Sequence, residues 1–232
     1  MSPEEQHFPN PQGLAEALAE ELAGVLAAAV ETRGEASLVV SGGSTPLPLF
    51  TALSRRALPW ETVSVGLADE RWVDPSDPAS NERLVRKKLL QGPAAAARFV
   101  GMKTPEDTPE AGRDACEEAL KALNRPFDAV VLGMGGDGHT ASLFPTAPEL
   151  ADGLDPASGK TCLAVHPGGS LPPRMSLTLP ALLDSRHLYL HITGEEKLQV
   201  YHRALGPGTV EELPIRAVLR GAAERIQVWW AP

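Results

Sequence analysis

Two cysteines in 232 residues are too few for a disulfide scaffold. Cys116 falls in a helical pattern and Cys162 at a strand start, so they read as buried thiols of a reducing compartment, with one disulfide as the alternative. Positive charge is also scarce: 21 Lys and Arg stand against 30 Asp and Glu, a formal net charge of -9. That balance excludes nucleic acid and anionic membrane as partners, because both repel an acidic surface. A small anionic substrate still fits if a few cations are gathered locally. No long apolar run is present. The alanine-rich stretch from Leu14 to Val30 carries Glu16, Glu20 and Glu21, and reads as an amphipathic surface helix rather than a membrane span. The opening M-S-P-E-E has neither the cationic nor the apolar region of a signal peptide, so a cytoplasmic protein is expected. H-E-x-x-H and C-x-x-C are missing. His187 and His191 share one strand face but have no third ligand, so no metal site is expected.

What is present alternates between strand and helix. Apolar strands are predicted at Ala36–Val40, Thr62–Ala68, Phe127–Leu132, Leu163–His166, Arg186–Thr193 and Arg225–Trp230. Helices are predicted from Pro46, from Ser80, over Glu110–Leu123 and over Glu195–Ala204. Ser80 is suited to cap its helix, and the cations of R-K-K suit that helix's end. Strands alternating with helices imply a mainly parallel, Rossmann-like α/β sheet with helices on both faces. No repeat or long linker appears, and the loop Asp152–Lys160 is not a secure boundary, so residues 1–232 are expected to form one α/β domain.

In such a sheet, ligands bind at the carboxyl ends of the strands. The loop Ser41-Gly42-Gly43-Ser44-Thr45-Pro46 lies there and admits two readings: a tight βα turn with a hydroxyl cap, or an anion cradle of free N–H groups. Two glycines between hydroxyl residues favour the cradle. It is not a Walker loop, which needs G-x-x-x-x-G-K-[ST]. Asp69-Glu70-Arg71-Trp72 follows the next strand, and three adjacent charges are expected in a solvated loop or on a site rim. Asn81, beside the capping Ser80, is placed to face a ligand.

The densest signal is V-V-L-G-M-G-G-D-G-H-T-A-S-L-F-P, from Val130 to Pro145. Its glycines let the chain turn sharply and bring Asp137 and His139 together at a strand end. Gly133 to Gly138 matches G-x-G-x-x-G, but Asp137 adds negative charge where a pyrophosphate would sit, and Pro145 soon interrupts any helix. A dinucleotide fingerprint is therefore rejected. His139 is either satisfied by backbone or a general base, and the strand-end glycines favour the base. Arg174 and Lys197 complete the set of candidates. Lys197 lies in the first turn of its predicted helix, where its charge opposes the dipole. That conflict suits a site lysine, although a solvated side chain also explains it.

Together S-G-G-S-T-P, D-E-R-W-V, G-M-G-G-D-G-H-T-A-S-L-F-P, R-M-S-L-T-L-P and I-T-G-E-E-K resemble the 6-phosphogluconolactonases of the glucosamine-6-phosphate deaminase/6-phosphogluconolactonase family. The resemblance implies their Rossmann-like fold, related to ribose-5-phosphate isomerase, and hydrolysis of 6-phospho-D-glucono-1,5-lactone without a cofactor. It implies His139 as catalytic base with Asp137 and Arg71 in support. Gly42, Gly43, Ser44, Thr45, Arg174 and Lys197 would hold the 6-phosphate. Asp69, Glu70, Asn81, Gly135 and Gly136 would complete the site. The partner expected is this small molecule, with the chain a monomer or weak homo-oligomer. Two rivals differ in chemistry. The deaminase relatives typically carry a glutamate five residues after the histidine, where this chain has Phe144. A sugar-phosphate sensor would keep the cradle and the cations but need no base.

Overall fold

The computed structural model describes residues 3–232. In chain order its strands are β1 (Glu4–His7), β2 (Ala36–Val40), β3 (Val63–Leu67), β4 (Asp69–Arg71), β5 (Arg98–Val100), β6 (Phe127–Leu132), β7 (Cys162–Val165), β8 (Arg174–Leu177), β9 (Ser185–Thr193) and β10 (Ile226–Ala231). The α-helices are α1 (Pro11–Arg33), α2 (Leu47–Leu53), α3 (Asn81–Lys88), α4 (Pro109–Leu120), α5 (Leu150–Leu154), α6 (Leu179–Leu183), α7 (Glu195–Leu205) and α8 (Ile215–Gly221).

Seven strands form one parallel sheet in the order β1-β10-β9-β6-β2-β3-β5. Every residue of β2 and of β6 is buried. Strands apolar on both faces must be covered on both, which is why the sheet is sandwiched between helices. From β2 the chain winds outward through β3 to β5, then returns to the other side of β2 as β6 before continuing to β9 and β10. The reversal leaves a crevice between the carboxyl ends of β2 and β6, because the connections leave in opposite directions there. The fold thus sets the site before any side chain is considered.

Helix α1 extends beyond the predicted Leu14–Val30 because both ends are capped. The Asn10 side chain accepts from the Gly13 N–H at 2.8 Å, and Gly34 ends the helix at φ 83°. Its buried stripe of Leu14, Leu18, Leu22 and Leu26 has the four-residue spacing of one helix face. No helix among the described residues is long and apolar enough to cross a membrane. Both cysteines are buried and free, so the thiol reading holds over the disulfide.

The segment Asp69–Arg71 corrects the sequence reading. It is not a loop but strand β4, paired antiparallel with β8 in a small second sheet of order β4-β8-β7. Asp69 and Glu70 are buried, not solvated. Three charged residues give no strand pattern, and the pairing partner lies about a hundred residues later, so the element is formed by tertiary contact. Strands β1, β5 and β8 and helices α5, α6 and α8 likewise go beyond the predicted elements. They are short, and their apolar positions do not repeat often enough to set a period.

Candidate active site

A cavity of about 400 Å³ opens over the carboxyl ends of β2, β6 and β9. Gly42, Gly43, Ser44 and Thr45 line it from the loop after β2, Asp69 and Arg71 from β4, and Asn81 from the start of α3. Gly135 and His139 enter after β6, Arg174 from β8, and Lys197 from the first turn of α7. Eleven candidates scattered from residue 42 to residue 197 therefore converge on one space. Glu70, Asp137 and Gly136 do not line it.

His139 and Asp137 form a direct pair, with His139 Nδ1 2.6 Å from Asp137 Oδ1. The same carboxylate oxygen accepts the His139 backbone N–H at 3.1 Å. A carboxylate partner fixes the proton on Nδ1 and leaves the Nε2 lone pair free, the arrangement a general base needs. Burial opposes the charge on Asp137, but the hydrogen bond and charge of His139 hold its carboxyl below the ordinary value. Gly135 makes the pair sterically possible. A Cβ there would lie 2.1 Å from His139 Nδ1 and 2.5 Å from Asp137 Oδ1. The Phe144 ring packs against the imidazole at 4.2 Å between centroids, giving it an apolar wall.

On the β2 side, Gly43 turns the loop at φ 96°. Among the described residues, the N–H groups of Gly42 through Thr45 have no backbone acceptor. Unpaired N–H groups beside a cavity are what an anion satisfies. Lys197 reaches across from α7 and donates to the Met134 carbonyl. Burial pushes its pKa down, while Asp137 and Glu196 oppose that shift. Register places Arg71 opposite Arg174 on the small sheet. Burial and the Arg71 charge push the Arg174 pKa down, countered by Asp69 and Glu70. The cavity thus holds three cations in an otherwise acidic chain.

Asp69 organises the far wall. It accepts from Ser142 Oγ at 2.6 Å and lies 4.0 Å from Arg174 Nη1. Its main-chain carbonyl accepts from Asn81 Nδ2 at 2.8 Å. Asn81 in turn abuts the cradle: a Cβ on Gly42 would lie 1.9 Å from Asn81 Oδ1. Glu70 was expected at the site and belongs instead to the scaffold. Its carboxylate accepts the N–H groups of Arg71, Asn81 and Glu82, each at 2.7 Å, and the Ser80 hydroxyl at 3.0 Å. Burial raises its pKa, and these hydrogen bonds pull it back only in part. It ties the start of α3 to β4 and so sets Asn81. Glu70→Ala would leave those buried donors without partners, and a loss of about 3 kcal/mol is expected in urea unfolding. Gly136, also expected at the site, faces outward near Glu196.

The family described as "Glucosamine-6-phosphate isomerases/6-phosphogluconolactonase" matches residues 9–230. The chain belongs to this family. A 6-phosphogluconolactonase of Rhizobium meliloti (strain 1021) is 46% identical over 232 residues, covering 100% of both chains. Another, from Mesorhizobium japonicum, is 46% identical over 97% of this chain and 94% of its own. The crystal structure of a 6-phosphogluconolactonase from Shewanella baltica OS155 superposes with a TM-score of 0.95 at 47% identity, covering 99% of this chain and 98% of that one.

Several residues lining the cavity of this family member were missed by sequence reasoning. Phe144 was read only as a lost glutamate. Ala141 also lines the cavity, in the left-handed region at φ 49°, a conformation uncommon outside glycine. His191 was considered only as half of a metal pair with His187. It sits at a strand's carboxyl end, the signal that singled out His139, and lines the cavity floor while His187 is exposed. Burial pushes its pKa from 6.5 down to about 4. The unfolded imidazole protonates near 6.5 and the folded one only near 4, so this group's contribution to stability is complete above pH 6.5 and is lost as the pH falls from there through 4. His191→Gln is expected to flatten the acid-side loss, by on the order of 3 kcal/mol at its foot. Urea midpoints taken near neutrality and near pH 4 check it.

Proposed function

We propose that this protein hydrolyses 6-phospho-D-glucono-1,5-lactone to 6-phospho-D-gluconate. The His139–Asp137 pair, set with its Nε2 lone pair free at the edge of a cation-lined cavity, carries the reading. A δ-lactone is a reactive ester that needs an activated water and a stabilised oxyanion, and the cavity offers a group for each.

In this reading, His139 Nε2 takes a proton from water as its oxygen bonds to C1. Negative charge then moves onto the carbonyl oxygen, and Arg71 is the cation assigned to it. When the tetrahedral intermediate collapses, the C1–O5 bond breaks and the imidazolium returns its proton to the departing ring oxygen. Asp137 holds the ring and stabilises its charged form throughout. The 6-phosphate lies against the N–H groups of Gly42 to Thr45, with Lys197 and Arg174 supplying charge. Binding energy from that remote group orients the lactone toward the base. Asp69 and Asn81 hold the wall between the cradle and Arg174.

The family also includes isomerases, and one contact separates the two chemistries. Phe144 packs on His139 at the place where the deaminase relatives carry a carboxylate, and a phenyl ring can move no proton. The test is hydrolysis of freshly generated lactone against its spontaneous opening, with glucosamine 6-phosphate in parallel. Acceleration of the lactone alone is the expected result. Turnover of the amino sugar, or of neither compound, would overturn the reading.

A further inference from the structure

The cavity floor contains two residues, Gly133 and His191, that the mechanism leaves unused. Leu132 of β6 pairs with Leu190 of β9, and Val40 of β2 pairs with Val131 of β6. Continuing both registers past the last paired residues places Gly42, Gly133 and His191 side by side. Partners in a parallel sheet present their side chains to the same face. A Cβ added to Gly133 would meet nothing within 4 Å, so the space above the central strand end is open on the His191 side. Neighbouring strands lie about 4.8 Å apart. A tetrahedral group centred over Gly133 thus has the β2 loop on one flank and His191 on the other.

His191 itself is unsatisfied. It is 3% exposed, and its Nδ1 is buried with no hydrogen-bond partner. Burying an unpaired N–H costs more than burying an unpaired lone pair, so the proton belongs on Nε2. Burial keeps the ring uncharged at neutral pH.

We infer that His191 is a substrate-binding residue that donates a hydrogen bond from Nε2 to the 6-phosphoryl group seated over Gly133, opposite the Gly42–Thr45 loop. The inference rests on the lactonase reading and adds a specificity element to it. Lys197 and Arg174 attract negative charge of any shape, whereas a fixed neutral donor rewards a correctly placed tetrahedral oxyanion. It does so without adding a further buried cation to desolvate.

The test compares wild type with His191→Phe, which keeps a ring but no donor, and His191→Gln, which restores an N–H near the Nε2 position. Each hydrolyses the phosphorylated lactone and unphosphorylated glucono-δ-lactone. For His191→Phe, KM for the phosphorylated lactone is expected to rise about tenfold, and the preference for it over the plain lactone to fall by the same factor. His191→Gln should recover most of both. Gly133→Ala, which fills the space above the strand, should raise the same KM even if the Phe variant folds poorly. Equal losses on both lactones, or no difference between Phe and Gln, would overturn the inference. Calorimetric titration with 6-phosphogluconate separates it from the activity itself. If wild type fails to accelerate either lactone, the lactonase reading falls. Weaker binding by the Phe variant with recovery by Gln would still support His191 as a phosphoryl donor, and identical affinities would reject it.

Discussion

His139→Ala is expected to lower kcat for 6-phosphogluconolactone by about 10²- to 10⁴-fold, the usual worth of a positioned general base. KM should change far less, because the cradle and the cations lie on other strands. The imidazole is held by Asp137 at 2.6 Å and packed on Phe144, so removing it leaves space for water but nothing to take its proton. Asp137→Asn should produce a smaller fall, since an amide oxygen can still accept from Nδ1 but no longer stabilises the imidazolium. Initial rates corrected for spontaneous hydrolysis decide the matter. Near-normal turnover by the alanine variant would remove His139 from the mechanism.

Lys197→Met is expected to act in the opposite sense, raising KM about 10²-fold with a modest effect on kcat. A charge-assisted hydrogen bond to a phosphate contributes roughly 1.5–3 kcal/mol, and the half-buried position of Lys197 reduces screening by salt. The main chain aids this lysine: the Met134 carbonyl accepts from Nζ and holds it beside the cradle. Glucono-δ-lactone lacks the phosphate, so its kcat/KM should be almost insensitive to the substitution. Equal losses on both lactones would place Lys197 in the scaffold or the chemistry instead. Raising the ionic strength should weaken phosphorylated substrate binding in wild type more than in the variant.

The central strands and the glycine-rich turn after β6 were legible in the sequence because their signals are local. Ala36–Val40 and Phe127–Leu132 are mainly apolar, each broken by a single polar residue (Ser37 and Asp128), and the structure returns them with the same limits. The turn after β6 needs glycine at particular positions, so its sequence advertises its geometry. Ser80 was read as a cap and is one, accepting from the Arg83 N–H at 3.1 Å. The same local logic failed for Asp69-Glu70-Arg71, whose strand exists only because β8 pairs with it.

Sequence alone therefore determined the alternation that makes a parallel sheet, the strand ends that open on the cavity, and the pairing of His139 with Asp137 proposed as the base, because each is written in contiguous residues. Tertiary structure decided which charges line the cavity and which hold the frame. Glu70 and Asp69 are neighbours of similar charge, yet one caps α3 and the other meets Ser142 at the cavity wall. Alternation along β4 sends their side chains to opposite faces, and only the packing of β8 and α3 against that strand tells which face is which. His191 follows the same rule: its role depends on an empty space over Gly133, and a space between strands is a property of their register.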